Sequence, residues 1–552
     1  ELPANPDWYA VQALPVVGNP TEEDALSWAT AYYANSLAAA IVKANPRIKQ
    51  VFDTWMAQGG SKETLLSNLE RNQDLKNLLL EETPWISEAT EESEQKRRIA
   101  LLFDLNSMDN RLRTSIERLQ ELQLSDGSWS WYKGMTGSRY ITTQIVEMLA
   151  RLQHMNVTLD GKVAPMYTRA LGYLQKAVKE DYETMKKLEK EGATTLVPNS
   201  QVVHYLYVCA LDKQAALLAD KQVNAYMTDR LENRSAEYSI GEKAMIGLIM
   251  QAGGRQRQAQ ELVQSIKEYT VSTPQMGVYF DTPKASYSWN NYRIPAQVAA
   301  MEAIQQIAPD ADMLAGMKLW LLKQKQVQVW ESSIATADAV YAFLNGSGNR
   351  LQVNGTMKAV AGNVEVRTPD DVLGYTRKTL TGTDTHVERV VVSKSGTGIG
   401  WGAVYAQYLE EMDKVLPAKG NGVSVAREWW RDGKQISRKT VLHAGDKMTV
   451  RLTIKADRDM DFIRVKDERA ACMEPDTQLS GYRWNNGVGY YQVNRDASTE
   501  FFIDRMPKGT YTLEYTVYLD RSGIYQAGAA TIQSVYAPEF SGHTGGQTLT
   551  VE

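Results

Sequence analysis

Residues 122–152, LQLSDGSWSWYKGMTGSRYITTQIVEMLARL, decide how the chain is read. Leu112, Ile116 and Leu119 form an apolar stripe ahead of this stretch. Ile141, Ile145, Met148, Leu149 and Leu152 form another inside it, at the spacing of an amphipathic helix. Between the stripes lies Gln123-x-x-x-Gly127-x-Trp129. Gly127 permits a turn that a Cβ would obstruct, and Trp129 and Trp131 are expected to bury their rings between neighbouring helices. The unit recurs: Trp289 precedes IPAQVAAM from Ile294, and Trp330 precedes IATADAVY from Ile334, both echoing ITTQIVEM from Ile141. Three turn tryptophans, each followed by a helix opened by isoleucine, predict paired helices stacked by an irregular repeat. Aromatic rings dominate core burial, so the repeat speaks for architecture and not for chemistry.

Outward from this stretch the helical pattern runs from Thr21 to about Gly346. Helices are predicted over 22–44, 47–58, 62–82, 90–105, 108–122, 138–155, 164–191, 199–211, 220–233, 236–252, 255–270, 293–307, 311–324 and 333–345. Asn45-Pro46, Gly59-Gly60, Asp126-Gly127 and Gly253-Gly254 supply the breaks. Paired helices with repeated turn tryptophans close into an α/α toroid or stack into an open superhelix, and the pattern leaves both open. Past Gly348 the period changes to strands: Thr356–Val366, Tyr375–Leu380, His386–Ser393 and Gly400–Leu409. A linker, LPAKGNG at 416–422, precedes a segment of clean alternation. Val450, Leu452 and Ile454 share one face, as do Tyr511, Leu513, Tyr515, Val517 and Leu519. Turns at Asn485-Asn486-Gly487 and Pro507-Lys508-Gly509 complete the reading of this part as a β-sandwich.

Composition narrows the function. The 552 residues carry a net charge of −5 and a pI near 5.8, with no basic footprint for nucleic acid. No run approaches the length of a membrane span. The opening ELPANPDWYAVQALP has no export signal and reads as an internal stretch of a longer precursor. Cys209 and Cys472 fall in different predicted domains and are not expected to pair. His154, His204, His386, His443 and His543 are scattered without metal-ligand spacing, and His204 and Cys209 are read as packed or surface residues. No cofactor or metal is implied.

A set of segments in fixed order resembles the carboxyl-terminal portion of the alpha-2-macroglobulin family, above all its bacterial, Bacteroides-like members. They are NPDWYAVQALP (5–15), YYANSLA (32–38), TPWISEA (83–89), LSDGSWSW (124–131) and WESSIATADAVYA (330–342). GIGWGAVYAQYLEEMDK (398–414), DERAACMEP…QLSGY (467–482) and VYAPEFSGHT (535–544) follow. The resemblance implies a multidomain fold, α then β. A thioester-domain-like α/α toroid would span 1–348, a CUB-like β segment 349–415, and a receptor-binding-like macroglobulin β-sandwich 421–552. In the family the toroid is inserted within the CUB-like domain, so an incomplete sheet is expected at 349–415.

Thioester-bearing relatives place Cys-x-x-Gln just ahead of a YYAN-like segment. That bond needs a sulfur leaving group and a glutamine acyl carbon on one helical face, three residues apart. Counted from YYAN, the positions here are Asp24, Ala25, Leu26 and Ser27, with no cysteine among them. Cys209 has Asp212 at the third place and Cys472 has Pro475, so neither can substitute, and the thioester is expected to be absent. Thr21-Glu22-Glu23-Asp24 reads instead as a capping box with Thr21 as the N-cap.

Three functions follow from this reading. The first is a fragment of an endopeptidase inhibitor that entraps host or environmental proteases by rearrangement. The second is an α/α-toroid cyclase or lyase, for which Asp310-Ala-Asp312 and Asp370-Asp371 fail the acidic motifs and Asp126 reads as a turn residue. The third is a protein-binding module using sandwich loops such as 481–489 or 522–530. The resemblance implies export to the periplasm or an outer-membrane-anchored place in the cell envelope, with an envelope protein as a further partner.

Overall fold

A computed structural model describes residues 2–552 apart from 4–6, 12, 21, 45–104, 235–236, 275, 286–292, 325–329, 331, 346–354, 368–374, 377, 379, 381–386, 397–403, 405–410, 419, 421, 438–439, 486 and 536–539. The helices predicted at 47–58 and 62–82, nearly all of 90–105, Thr21, Trp289 and most of the strand predicted at 400–409 lie outside the described residues. What is described falls into two compact units, one ending at Val404 and one from Glu411 onward.

The first unit opens with α1 (Trp8–Val11), α2 (Leu14–Val17) and α3 (Ala25–Ala44), followed by α4 (Leu105–Leu122), α5 (Arg139–His154) and α6 (Val163–Lys190). Next come α7 (Ser200–Leu211), α8 (Lys213–Leu218), α9 (Lys221–Arg234), α10 (Ile240–Ala252) and α11 (Gln256–Lys267). The last are α12 (Arg293–Ile307), α13 (Ala311–Gln324) and α14 (Ser333–Leu344). They alternate in character. α10, α12 and α14 are buried on nearly every side, whereas α11 buries one stripe of Ala259, Leu262, Val263 and Ile266. An all-round apolar helix belongs inside and a striped one outside. Contacts agree: α3 packs on α5, α5 on α7, α7 on α10, α10 on α12, α12 on α14, and α14 returns to α3. α4, α6, α9, α11 and α13 pack behind these.

The tryptophan unit is repeated in atomic detail. Trp129 Nε1–H donates to the Leu119 carbonyl (2.9 Å), and the residue's backbone N–H donates to Thr142 Oγ1 (2.9 Å). Trp330 makes the same pair of bonds, to the Leu321 carbonyl (2.7 Å) and to Thr336 Oγ1 (3.1 Å). Ser138 and Ser332 cap the helices that follow. Each buried indole thus satisfies its one donor while tying an outer helix to the next inner one. Gly127 has φ +90°, and a Cβ there would stand 2.3 Å from the Arg169 carbonyl oxygen. Trp131 corrects the sequence reading: its ring is 46% exposed, stacked beside the equally exposed Tyr132. It lies at the tip of the small hairpin Trp129–Ser130/Gly137–Ser138, beyond the reach of the helix pair.

Strands Met357–Ala361, Val364–Arg367 and Val390–Lys394 form a three-stranded antiparallel sheet. The strand predicted over 356–366 is therefore a hairpin, turned at Gly362. Leu2–Pro3 pairs with Tyr375–Thr376, so two strands bracket the helices along the chain. The hairpin Thr270–Thr273/Gly277–Phe280 takes up Thr270, the last residue of the predicted helix 255–270.

The second unit is antiparallel throughout. One five-stranded sheet centres on Val423–Arg431, Lys447–Ala456 and Gly509–Leu519; a six-stranded one centres on Met460–Glu468 and Ser498–Met506. Val450, Leu452 and Ile454 lie opposite Tyr515, Leu513 and Tyr511, all buried as the alternation required.

Candidate functional site

The stretch Asp24–Ser27, expected from the sequence at the thioester position, leads into α3. Asp24 stands immediately before the helix and acts as its N-cap. Its Oδ1 accepts from the N–H groups of Leu26 (2.9 Å) and Ser27 (3.1 Å), and its Oδ2 accepts from Ser27 Oγ (2.5 Å). An aspartate satisfies the orphan amides of a first turn directly; Thr21, the expected N-cap, lies outside the described residues. Asp24, Ala25, Leu26 and Ser27 are all buried, and the Ala25 N–H donates to the Trp131 carbonyl (2.9 Å). Trp28 Nε1–H donates to Glu23 (3.3 Å), with Arg118 5.9 Å from the indole centroid. Ser27 gives its hydroxyl proton to the Asp24 carboxylate. Chemically the pair is a cap.

The YYAN segment explains itself once placed. Tyr32 Oη accepts from the Asp160 N–H (2.9 Å). Asn35 Nδ2 bridges the Gly18 and Ala31 carbonyls (2.9 and 2.8 Å), tying the preceding turn to α3. Tyr33 points to the middle of the circuit of inner helices, where a second set of polar residues converges.

There Arg151 (α5) bonds Glu147 Oε1 at 2.9 Å and pairs with Asp338 (α14). Glu147 Oε2 bonds His204 Nδ1 (α7) at 2.6 Å. Tyr207 and Tyr341 donate to the two oxygens of Glu302 (α12), at 2.5 and 2.6 Å. Arg151 Nε–H donates to Tyr207 Oη at 3.3 Å, and the Arg151 guanidinium lies 4.7 Å from the Tyr341 ring centroid. Every member is buried except His204, whose side chain is 24% exposed. Burial opposes the charge on Glu147, yet Arg151 and His204 outweigh it and hold the carboxyl below its usual range. Burial pushes Asp338 up to about 6 in spite of Arg151. His204 is raised: burial works against its charge, but Glu147, with Glu242 behind it, prevails.

Sequence reasoning missed this set, and took His204 as a packed or surface residue. The signal was present as single charges inside otherwise apolar helices: VEMLARL, VVHYLYV, MEAIQQI and ATADAVY. A helix apolar on all sides that keeps a charge must pair it across the core. Three carboxylates and a histidine around one arginine are the raw material of acid–base chemistry, but here the charges answer one another. Among the described residues no group of three or more His, Cys, Asp or Glu is arranged to hold a metal ion.

The other candidates are local structure. Asp126 accepts from the Ser128 N–H (3.0 Å) and hydroxyl (2.6 Å), a turn of its own making. Asp310 caps α13 through the Met313 N–H (3.0 Å). Cys209 and Cys472 are both free thiols, one in each unit. No helix among the described residues is long and apolar enough to cross a membrane.

Residues 422–539 match the family model described as the bacterial alpha-2-macroglobulin MG10 domain. Over 477 residues the chain is 23% identical to an alpha-2-macroglobulin homolog of Nostoc sp., covering 79% of this chain and 23% of that one. The chain thus spans about a quarter of the length of that relative. Among solved structures it is similar to a native alpha-2-macroglobulin from Escherichia coli running from domain MG7 to the C-terminus. That match has 14% identity and a TM-score of 0.33, and covers 100% of this chain and 76% of that one. It is also similar to a trypsin-activated alpha-2-macroglobulin from Escherichia coli, with 15% identity, a TM-score of 0.40 and coverage of 81% and 30%. Its sandwich thus matches the bacterial alpha-2-macroglobulin MG10 domain, and most of its length is similar to a bacterial alpha-2-macroglobulin homolog.

Proposed function

We propose that this chain is the carboxyl-terminal part of a bacterial endopeptidase inhibitor that entraps proteases by rearrangement, without a covalent thioester. The observation that carries the reading is the pair at the thioester-equivalent position. Asp24 and Ser27, three residues apart, are joined by a hydrogen bond in a buried first turn, with no sulfur and no acyl group to join. On this reading the inner and outer helices are a thioester-domain-like α/α toroid. The contacts that lead from α14 back to α3 support it. The sheet of residues 357–394 is a CUB-like segment. Its support is that Leu2–Pro3 and Tyr375–Thr376 pair across the whole helical insertion. The sandwich plays the receptor-binding part. The protein is not an enzyme, is exported to the periplasm or cell envelope, and meets its target protease through regions beyond this chain.

The test uses the full-length protein with a broad-specificity protease. Trapping predicts that cleavage of a large protein substrate is suppressed while a small chromogenic peptide is still turned over. Unhindered cleavage of the large substrate overturns the inhibitor reading. Separately, methylamine should leave the intact mass unchanged, and a discrete mass gain overturns the absence of the thioester.

One observation favours a binding-module reading. On the hairpin Gly481–Asn485/Val488–Asn494, Tyr482 and Trp484 are more than two-thirds exposed. Retention of protease trapping after Tyr482→Ala and Trp484→Ala, with loss of an envelope partner, would assign this hairpin to that second role.

A further inference from the structure

Three carboxylates, one guanidinium and one imidazole meet in the middle of the helical unit, and they come from four helices that are not neighbours in sequence. Glu147 and Arg151 lie on α5, His204 on α7, Glu302 on α12 and Asp338 on α14. With every acid ionised and His204 neutral the set would hold a net charge of −2 in a core that excludes water. A buried charge without a partner is so costly that the site takes up protons instead. We propose that this cluster is a proton-loaded clasp, holding the inner helices together most tightly when His204 and Asp338 carry protons and loosening when they lose them.

The geometry supplies both the latch and the way in. Asp338 faces Arg151 and, through it, Glu147 on α5; Tyr33 faces it from α3 and Glu302 from α12, with His204 and Tyr207 beyond on α7. On α13, Lys318 lies 5.5 Å from the Phe343 ring of α14 and is taken by Asp7 at 3.1 Å. His204 faces Glu147 and Arg151 on α5 and Glu242 on α10, and Glu242 accepts from Ser200 Oγ as well. Lys243, the remaining charge on that face of α10, lies 5.4 Å from the Tyr269 ring. As the member with 24% exposure, His204 is the door for solvent protons. Tyr207 and Tyr341 both donate to Glu302, which fixes that carboxylate as the permanent acceptor.

The direction follows from linkage. Asp338, raised from 3.8 to about 6, holds its proton more tightly in the folded chain. Its stabilising effect is complete below 3.8 and is lost as the pH rises through about 6. His204, raised above 6.5, adds a loss in the same sense at higher pH. Glu147, lowered from 4.5, acts oppositely and only in acid. The helical unit therefore weakens once the pH passes 4.5, through about 6 by way of Asp338 and further above 6.5 by way of His204.

The experiment follows thermal unfolding of the whole chain by its far-ultraviolet helix signal across that range. The midpoint of the helical transition should fall by on the order of 5 °C from the acid to the alkaline end. In Asp338→Asn the part of the fall that runs up to about pH 6 should vanish, and in His204→Gln the part above 6.5. A midpoint that stays level in the unmodified chain, or the same slope in both variants, overturns the proposal. Should either variant fail to fold, a chain with His154, His386, His443 and His543 replaced by Gln leaves one imidazole to follow by nuclear magnetic resonance. Titration of His204 above 6.5 supports the clasp, and titration at or below 6.5 overturns it.

Discussion

In the helical unit one guanidinium, Arg151, serves Glu147 and Asp338 together, whereas in the sandwich each buried carboxylate has an arginine of its own. Arg427 pins Asp467 at 2.6 Å between the two sheets, with Tyr515 donating to the other oxygen at 2.6 Å. Arg464 holds Glu500 through Nε and Nη2, at 3.0 and 2.8 Å. A third arginine, Arg469, satisfies backbone carbonyls and Thr499. The difference is geometric. Strands present side chains singly, to a diagonal neighbour as Arg464 to Glu500 or across to the facing sheet as Arg427 to Asp467, so charges are matched two by two. Helices arranged in a closed circuit aim several side chains at one place, so a single cation ends up shared. A shared cation leaves the balance of the helical cluster to protons.

The comparison can be broken most forcefully at its two centres. Arg151→Met strands two buried carboxylates and should cost about 3–5 kcal/mol, read as a lower helical melting transition with the sandwich transition unmoved. If the helical unit melts unchanged, the shared-cation account is wrong. Arg427→Met strands only Asp467, whose second oxygen keeps Tyr515. A loss of about 3 kcal/mol confined to the sandwich is expected, and a larger loss than that of Arg151→Met would reverse the ranking.

A pH series sharpens the contrast. Asp446 accepts from the His443 N–H and pairs with Arg431, which hold its carboxyl below 3.8. Its stabilisation is present above 3.8 and is lost as the pH falls through the lowered value. The sandwich should thus weaken only in acid, while the helical unit weakens toward alkali; parallel melting profiles for both would contradict the two modes of burial. The smallest effect belongs to Ser27→Ala. It removes one hydroxyl from Asp24 but leaves both cap amides, for roughly 1 kcal/mol in urea unfolding. A cost several times larger would give that pair a role beyond capping.

Legibility in the sequence tracked the range of the forces. Sandwich strands were readable because Val450, Leu452 and Ile454 repeat every second residue and face Tyr515, Leu513 and Tyr511. Helices were readable from their stripes and glycine breaks, and Trp129 from its turn. Trp131, two residues on, was misread because alternation within a hairpin tip cannot tell which side has a neighbour. Asp24 was identified as part of the site but assigned the wrong position within the cap: several acidic residues precede α3, and only the backbone says which one stands at its end.

By itself the sequence determined the order of helical and β regions, the turn-tryptophan repeat and the lack of cysteine between Asp24 and Ser27, because period, turn chemistry and residue identity are local properties. The tertiary structure alone decided that Glu147, Arg151, His204, Glu302 and Asp338 share one interior. Apart from Glu147 and Arg151, an i,i+4 pair on α5, those residues are far apart along the chain, and only the packing of the inner helices on one another makes neighbours of them.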